Sequence, residues 1–398
     1  LWVDGREIGR RDSLSTPHEY DVTEWMGPGR HRLTLRVDNR LQVAVGVNSH
    51  SVSDHTQSNW NGIVGRIELR ATPEVFLEDI QVYPEIAANS ARVALTIGRA
   101  GRSADAGGTV SGTLRLSAAC GSHRSPEVIR QIQVQPDGET TPVRLDLGAD
   151  ARLWDEFQPD LYRMRVVLET EAGVAERTVT FGMREISVQE KQFLLNGKPI
   201  QFRGTLECCI FPLTGYPPAD VDNWRRVIGI CQSHGLNHIR FHSHCPPEAA
   251  FQAADQLGFY LQVECGSWAN QGSQLGLGEP IDQWIYDEAE RIRRAYGNHP
   301  SFVLMAYGNE PAGPERGGRF LGPWVEHQKQ ADGRRLYTSA AGWPMIPENQ
   351  FHNTPEPRIQ AWGAGLRSRI NAEPPETRSD YREFIQAQEV PVISHEIG

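Results

Sequence analysis

The sequence predicts a multidomain fold, β structure followed by an α/β barrel, and three observations carry that expectation. Up to about residue 185, short runs alternating polar and apolar residues recur between Gly, Pro, Ser and Asp turns. From about residue 186, strand-like runs alternate with helical stretches, the pattern of a parallel sheet. Two of the late apolar runs end on a carboxylate: Ser301–Glu310 and Val390–Glu396.

Residues 1–71 read as an antiparallel β domain. Asp4-Gly5 is a hairpin turn, and Gly27-Pro28-Gly29 is a second break. His31–Val37 alternates with period two, which predicts one wet and one buried face. Gly62–Arg70 is expected to be the strand that closes the unit. Thr72-Pro73 marks a boundary, and residues 72–185 continue in the same style. Arg92–Ile97, Gly112–Leu116, Ile129–Val134, Val143–Leu147 and Tyr162–Leu168 predict a sandwich of immunoglobulin-like size.

Residues 186–398 predict a (β/α)8 TIM barrel truncated before its last βα unit. Seven strands are expected, at Ile200–Gly204, His238–Phe241, Phe259–Glu264, Phe302–Tyr307, Leu336–Ser339, Ile359–Trp362 and Val390–Ser394. Helices are expected over 219–234, 247–257, 281–296, 321–331 and 379–387. The first has a start signal: Pro217-Pro218 precede it, and Asp220 and Asp222 suit the positive end of the helix dipole.

A chain of 398 residues is long enough for two or three domains. Hydrophobic and charged fractions of 39% and 23% are those of an ordinary globular protein. No apolar run reaches the ~18–20 residues of a membrane span. A net charge of −10 argues against nucleic acid or an anionic membrane as partner, because phosphate binding needs basic patches. A neutral or weakly charged partner is expected, and a homo-oligomer is left open. Cys120, Cys208, Cys209, Cys231, Cys245 and Cys265 show no zinc-type spacing and read as buried reduced thiols. Neither a metal nor a cofactor is expected. Leu1 lies in what reads as mid-strand and the sequence stops two residues after Glu396, so both ends look like cuts and localisation is unreadable.

A carboxylate at the end of a doubly buried strand is costly in a core and useful at the rim of a barrel, where βα loops carry the chemistry. Two of them facing one pocket supply the proton donor and the nucleophile or base that acetal cleavage needs. A surface salt bridge is the competing account of either one alone. His242 and His244, just past the second expected strand, form a His-x-His whose alternate spacing on a strand would put both rings on one face. Sugar binding, packing and a metal pair are all open for them, with Glu207 or Glu264 as a third ligand in the last case. Arg240 is placed to keep Glu396 ionised or to form a plain buried ion pair.

In its motifs and their order the chain resembles glycoside hydrolase family 2, which includes β-galactosidases, β-glucuronidases and β-mannosidases. The resemblance rests on Trp2–Gly9 with Pro17–Thr23, Asn59–Arg66, Leu153-Trp154 with Pro159–Tyr162, Phe181–Arg184, Phe193–Gly204, Asn309-Glu310 and Glu396. It implies that residues 1–71 are the C-terminal part of a jelly-roll sugar-binding domain. It further implies a retaining, exo-acting β-glycoside hydrolase of β-galactosidase or β-glucuronidase type, with carbohydrate as substrate. Glu310 would then be the acid/base, Glu396 the nucleophile, and Asn309 a donor to the sugar 2-hydroxyl. The same resemblance places His242 or His244, Arg240, Glu264, Trp268, Asn270 and Trp362 around the substrate, with Trp343 a further candidate wall. The chain departs from the family where a His-Tyr-Pro triplet and a Tyr after the sixth strand are usual, since Trp362 stands at the latter place. A non-catalytic carbohydrate-binding protein with a relic barrel is the alternative.

Overall fold

The structure is a computed structural model, described here for residues 1–50, 52, 62–100, 108–313, 318–355, 373–374 and 381–396. In the N-terminal region Asp4 and Gly5 take φ of +49° and +85° and close a tight hairpin between Trp2–Val3 and Arg6–Glu7. A third strand is Leu33–Thr34, so the alternation of 31–37 yields only two paired residues. Gly62–Arg70 forms no strand among its described residues, which corrects the expectation. The reason is visible in exposure: Ile67 is 71% and Leu69 67% exposed, and Leu35 and Val37 are exposed too. Alternation makes a strand only when a second layer covers the apolar face. None does so here among the described residues.

Val75–Glu85, Ser90–Arg99 and Glu139–Asp146 form one antiparallel sheet. Gly173–Phe181, Tyr162–Thr170 and Val110–Cys120, with His123–Arg124 and Val128–Val134 beside the last, form the other. Their inward residues, from Val75 to Met183, pack into one core. The five runs expected here fall in these strands, apart from Leu147 just past its strand end, and Val75–Glu85 and Gly173–Phe181 are strands beyond those expected.

Three short strands then run antiparallel: Ile186–Gln189, Gln192–Leu195 and Lys198–Ile200. Asn196 and Gly197, at φ +51° and +75°, make the Asn-Gly turn between the last two. This hairpin claims residues 198–200, so the first barrel strand starts four residues later than expected. Phe193 and Leu195 pack with Tyr260, Leu304, Leu336 and Phe351 and plug the barrel at the N-terminal ends of its strands.

The barrel strands are β1 (Gly204–Glu207), β2 (His238–Phe241), β3 (Tyr260–Glu264), β4 (Phe302–Ala306) and β5 (Leu336–Thr338), all parallel and in that order. β6 (His352–Thr354) pairs in parallel with β7 (Val392–Ser394). Single bridges from Asn309 to Ala341 and from Ala341 to Asn353 carry the series from β4 to β6. The sixth strand thus lies earlier than the expected Ile359–Trp362, which falls outside the described residues. Among the described residues five helices lie between them: α1 (Val221–Ser233), α2 (Glu248–Leu257), α3 (Pro280–Tyr296), α4 (Leu321–Ala331) and α5 (Arg382–Gln386). The α1 start follows the sequence signal, Asp220 accepting the Asn223 N–H at 2.9 Å. No helix among the described residues is long and apolar enough to cross a membrane, and all six cysteines are unpaired.

Sandwich and barrel are locked together by buried groups. The Trp154 indole donates to the Asp255 carbonyl at 2.8 Å. The Arg184 guanidinium donates to the carbonyls of Pro300, Phe302 and Arg334.

Candidate active site

The barrel strands deliver their last residues to one mouth. β4 itself ends at Ala306, yet the Glu310 N–H still donates to the Ala341 carbonyl at 2.8 Å. Asn270 Nδ2 holds the Glu310 carbonyl at 3.0 Å. Glu310 has φ of +31°, a left-handed value that costs a non-glycine residue on the order of 1 kcal/mol and persists only where neighbours impose it.

Glu396 follows β7. Its Oε1 lies 3.3 Å from His242 Nε2, 3.6 Å from Arg240 Nη1 and 3.6 Å from His395 Nε2. The same His395 nitrogen is 3.2 Å from Glu310 Oε1. One imidazole nitrogen therefore touches both carboxylates, whose Oε1 atoms can be no further apart than the sum of those two distances. The His395 side chain is fully buried, whereas the Glu310 and Glu396 side chains are 14% and 32% exposed. The two acids reach solvent; the group between them does not.

The surroundings set the charge state of Glu396. Burial pushes its carboxyl up, but the His242 hydrogen bond and the charges of His395 and Arg240 outweigh that and hold its pKa at about 2. Burial also drives the His242 pKa down to about 3, so its ring is neutral. The tautomer follows from its neighbours. The ionised Glu396 can only accept from Nε2, so Nδ1 of the neutral ring accepts from the Ser243 hydroxyl at 3.2 Å, and Ser243 Oγ in turn accepts the His50 backbone N–H at 2.9 Å. The ring proton then sits on Nε2 and points at Glu396.

Arg240 organises the floor. Its Nε donates to Glu264 Oε1 and its Nη2 to Asn309 Oδ1, both at 2.7 Å. Glu264 is fully buried, and its Oε2 accepts the Ser243 N–H at 2.6 Å. Both of its oxygens are engaged by protein, so Glu264 braces the site rather than lining it. Asn309 is also fully buried, and its Nδ2 has no hydrogen-bond partner among the described residues. Trp268 stands edge-on to His242 at 4.8 Å between ring centres. Trp343 is half-buried after β5, its indole donating to the Pro311 carbonyl. Trp362 lies outside the described residues.

His242 and His244 do not share a face, contrary to the expectation. β2 ends at Phe241, and Ser243 turns the backbone with φ of +49°. His242 consequently meets Glu396, while His244 Nε2 lies 2.9 Å from Glu207 Oε2.

Sequence reasoning missed a piece of the wall that comes from the N-terminal region. The Val45 carbonyl accepts the Trp268 N–H at 2.8 Å, and Ser49 Oγ donates to the Gly266 carbonyl at 2.8 Å. His50 lies 4.3 Å from His242, ring centre to ring centre. Gly46 permits the approach: its φ is +104°, and a Cβ there would run into the Trp268 carbonyl. That glycine was the one available signal. His50 itself sits in a polar run without periodicity. His395, to which sequence alone assigned no role, is the second omission. Beyond Asn270, Ala44 and the start of α3 border a cavity of about 340 Å³.

Comparison with known proteins bears on the family. The profile described as "Glycosyl hydrolases family 2, TIM barrel domain" matches residues 186–351, and that described as "Glycosyl hydrolases family 2" matches 75–184. The chain belongs to glycosyl hydrolase family 2. Among curated relatives of this family member, a β-galactosidase large subunit of Latilactobacillus sakei is 26% identical, over 95% of this chain and 57% of its own length. A putative β-glucuronidase of Formosa agariphila is 23% identical over 86% of this chain and 31% of its own. Of solved structures, a family 2 member from Bacteroides cellulosilyticus superposes with a TM-score of 0.69 at 18% identity, covering 88% of this chain and 44% of its own. A family 2 β-galacturonidase from Eisenbergiella tayi gives 0.66 at 20% identity, covering 86% and 58%. These structural likenesses concern the fold. The family 2 chain described here spans between about a third and three fifths of the length of these relatives.

Proposed function

We propose that the protein is a retaining, exo-acting β-glycoside hydrolase of β-galactosidase or β-glucuronidase type. The observation that carries this reading is the single His395 nitrogen in contact with both Glu310 and Glu396. It brings two carboxylates, remote in the chain, within the range at which a sugar can lie between them. A spacing of about 5–5.5 Å goes with retention.

In the first step the Glu310 carboxyl gives its proton to the glycosidic oxygen as the bond to the anomeric carbon breaks. Glu396, kept ionised by His242 and Arg240, attacks that carbon and forms an ester. In the second step Glu310, now a carboxylate, takes a proton from water. The water oxygen bonds to the anomeric carbon, and the Glu396 carboxylate leaves. Asn309 Nδ2 is the donor for the 2-hydroxyl, with Arg240 holding the amide in place through its other end. Trp268 and His242 supply the wall. The cavity beside Asn270 is of a size to take the rest of the substrate.

On the same reading residues 1–71 belong to a jelly-roll sugar-binding domain, and 186–398 to a (β/α)8 barrel represented by seven strands among the described residues. The test is a panel of aryl β-glycosides with the full-length protein. Glu310→Gln and Glu396→Gln should each lose at least ~10²-fold in kcat. Hydrolysis at the wild-type rate by either variant overturns the assignment, and carbohydrate binding without turnover by the wild type would leave the non-catalytic reading. Proton NMR of the first-formed sugar should show the β anomer.

A further inference from the structure

We infer that Glu207, Cys209 and His244 bind one divalent transition-metal ion of the zinc class, a site separate from the two catalytic glutamates. Their ligand atoms all lie within 4.8 Å of one another. That approaches the spacing of donors around one ion with bonds of about 2.0–2.3 Å. Cys209 and His244 are buried, and Glu207 is nearly so.

The backbone prepares the set. Glu207 is the last residue of β1, and Cys209 takes φ of +59° just beyond it. The Cys209 N–H donates to Glu207 Oε1 at 2.8 Å, which orients the carboxylate and leaves Oε2 available. On the other side, His244 Nδ1 lies 3.2 Å from the His242 carbonyl. A carbonyl can only accept, so Nδ1 carries the proton and the Nε2 lone pair faces Glu207. Fixing a ring through a backbone carbonyl is the usual arrangement behind a metal-bound imidazole.

The decisive detail is that Glu207 Oε2 and His244 Nε2 approach to 2.9 Å, yet neither makes a further hydrogen bond among the described residues. Two buried acceptors so close repel each other unless a cation or a proton lies between them. A second proton on His244 would give a plain ion pair, and that is the competing outcome. The thiol favours the metal: a sulfur, an imidazole and a carboxylate together suit zinc or cobalt, whereas magnesium and calcium prefer oxygen alone. On binding, the Cys209 sulfur gives its proton to solvent and donates as thiolate, so affinity should rise with pH. The ion would tie the end of β1 to the turn after β2, and that turn carries His242.

The full-length protein is loaded separately with zinc and with cobalt, desalted, and its metal counted by mass spectrometry. About one ion per chain is expected, and the cobalt form should show a thiolate-to-metal absorption band. Cys209→Ser should abolish that band, and His244→Gln should lower affinity at least ~10-fold, whereas Cys208→Ser should change neither. Circular dichroism identifies any variant that fails to fold, and the wild-type cobalt spectrum stands independently of the variants. Less than about a tenth of an ion per wild-type chain, or a band that survives in folded Cys209→Ser, overturns the inference.

Discussion

Replacing His242 by Phe removes the N–H that points at Glu396 while keeping a ring against Trp268 and His50. A hydrogen bond to a charged acceptor contributes about 1.5–3 kcal/mol, and one pKa unit corresponds to about 1.4 kcal/mol. The Glu396 carboxyl, held at about 2, should therefore rise by about one to two units, since burial continues to push it upward. The assay is kcat/KM against pH for an aryl β-glycoside, whose acid limb reports the free-enzyme group that must be ionised, Glu396 on the proposed mechanism. In the wild type that limb should lie below the range where the protein is stable. In His242→Phe it should enter the measurable range near pH 3–4, and His242→Gln, which restores a donor, should move it back. The sign for stability is fixed too. A depressed folded-state pKa stabilises the native protein above the ordinary carboxylate value of 4.5, and that contribution disappears as pH falls through about 2. If folded His242→Phe shows no acid limb above about pH 3, as in the wild type, the claim that this bond holds Glu396 ionised is refuted.

Gly46→Ala should push the Val45–His50 stretch off the barrel, because its Cβ meets the Trp268 carbonyl and its φ is +104°; activity should fall while the thermal midpoint changes by only a few degrees. Glu264→Ala leaves the Arg240 charge buried without its shortest partner, which should cost about 3–5 kcal/mol, read from denaturant midpoints. Trp154→Ala opens the junction between sandwich and barrel and should cost about 3–5 kcal/mol, with the two regions then melting at separate temperatures in calorimetry.

The elements whose patterning reflects their own burial were legible from sequence. Five of the sandwich strands and β2 to β5 are flanked by cores on known faces, so alternation or a continuous apolar run named them, whereas Val75–Glu85 and Gly173–Phe181 were not singled out. Gly62–Arg70 carried the same alternation and formed no strand, because a pattern of apolar residues says nothing about whether a second layer is present to cover them. The start of β1 was misplaced because a local Asn-Gly turn competes for Ile200, and turn chemistry won over the longer run. At the site, Glu310 and Glu396 were readable because a strand-end carboxylate is anomalous in an apolar context. His50 and His395 were not, since the partners that give them a place, Ser243 for one and Glu310 for the other, lie 193 and 85 residues away in the chain. The His242 and His244 pair failed for a different reason: spacing arguments assume the strand continues, and Ser243 ends it.

The reach of the Val45–His50 stretch across to Trp268 and His242 sets a limit on how small a working version of this protein can be made. An excision that begins at the sandwich or at the barrel would delete the His50 N–H that Ser243 Oγ accepts and the ring packed against His242. Engineers trimming the molecule should keep that strap attached, or supply its peptide separately and look for rescue.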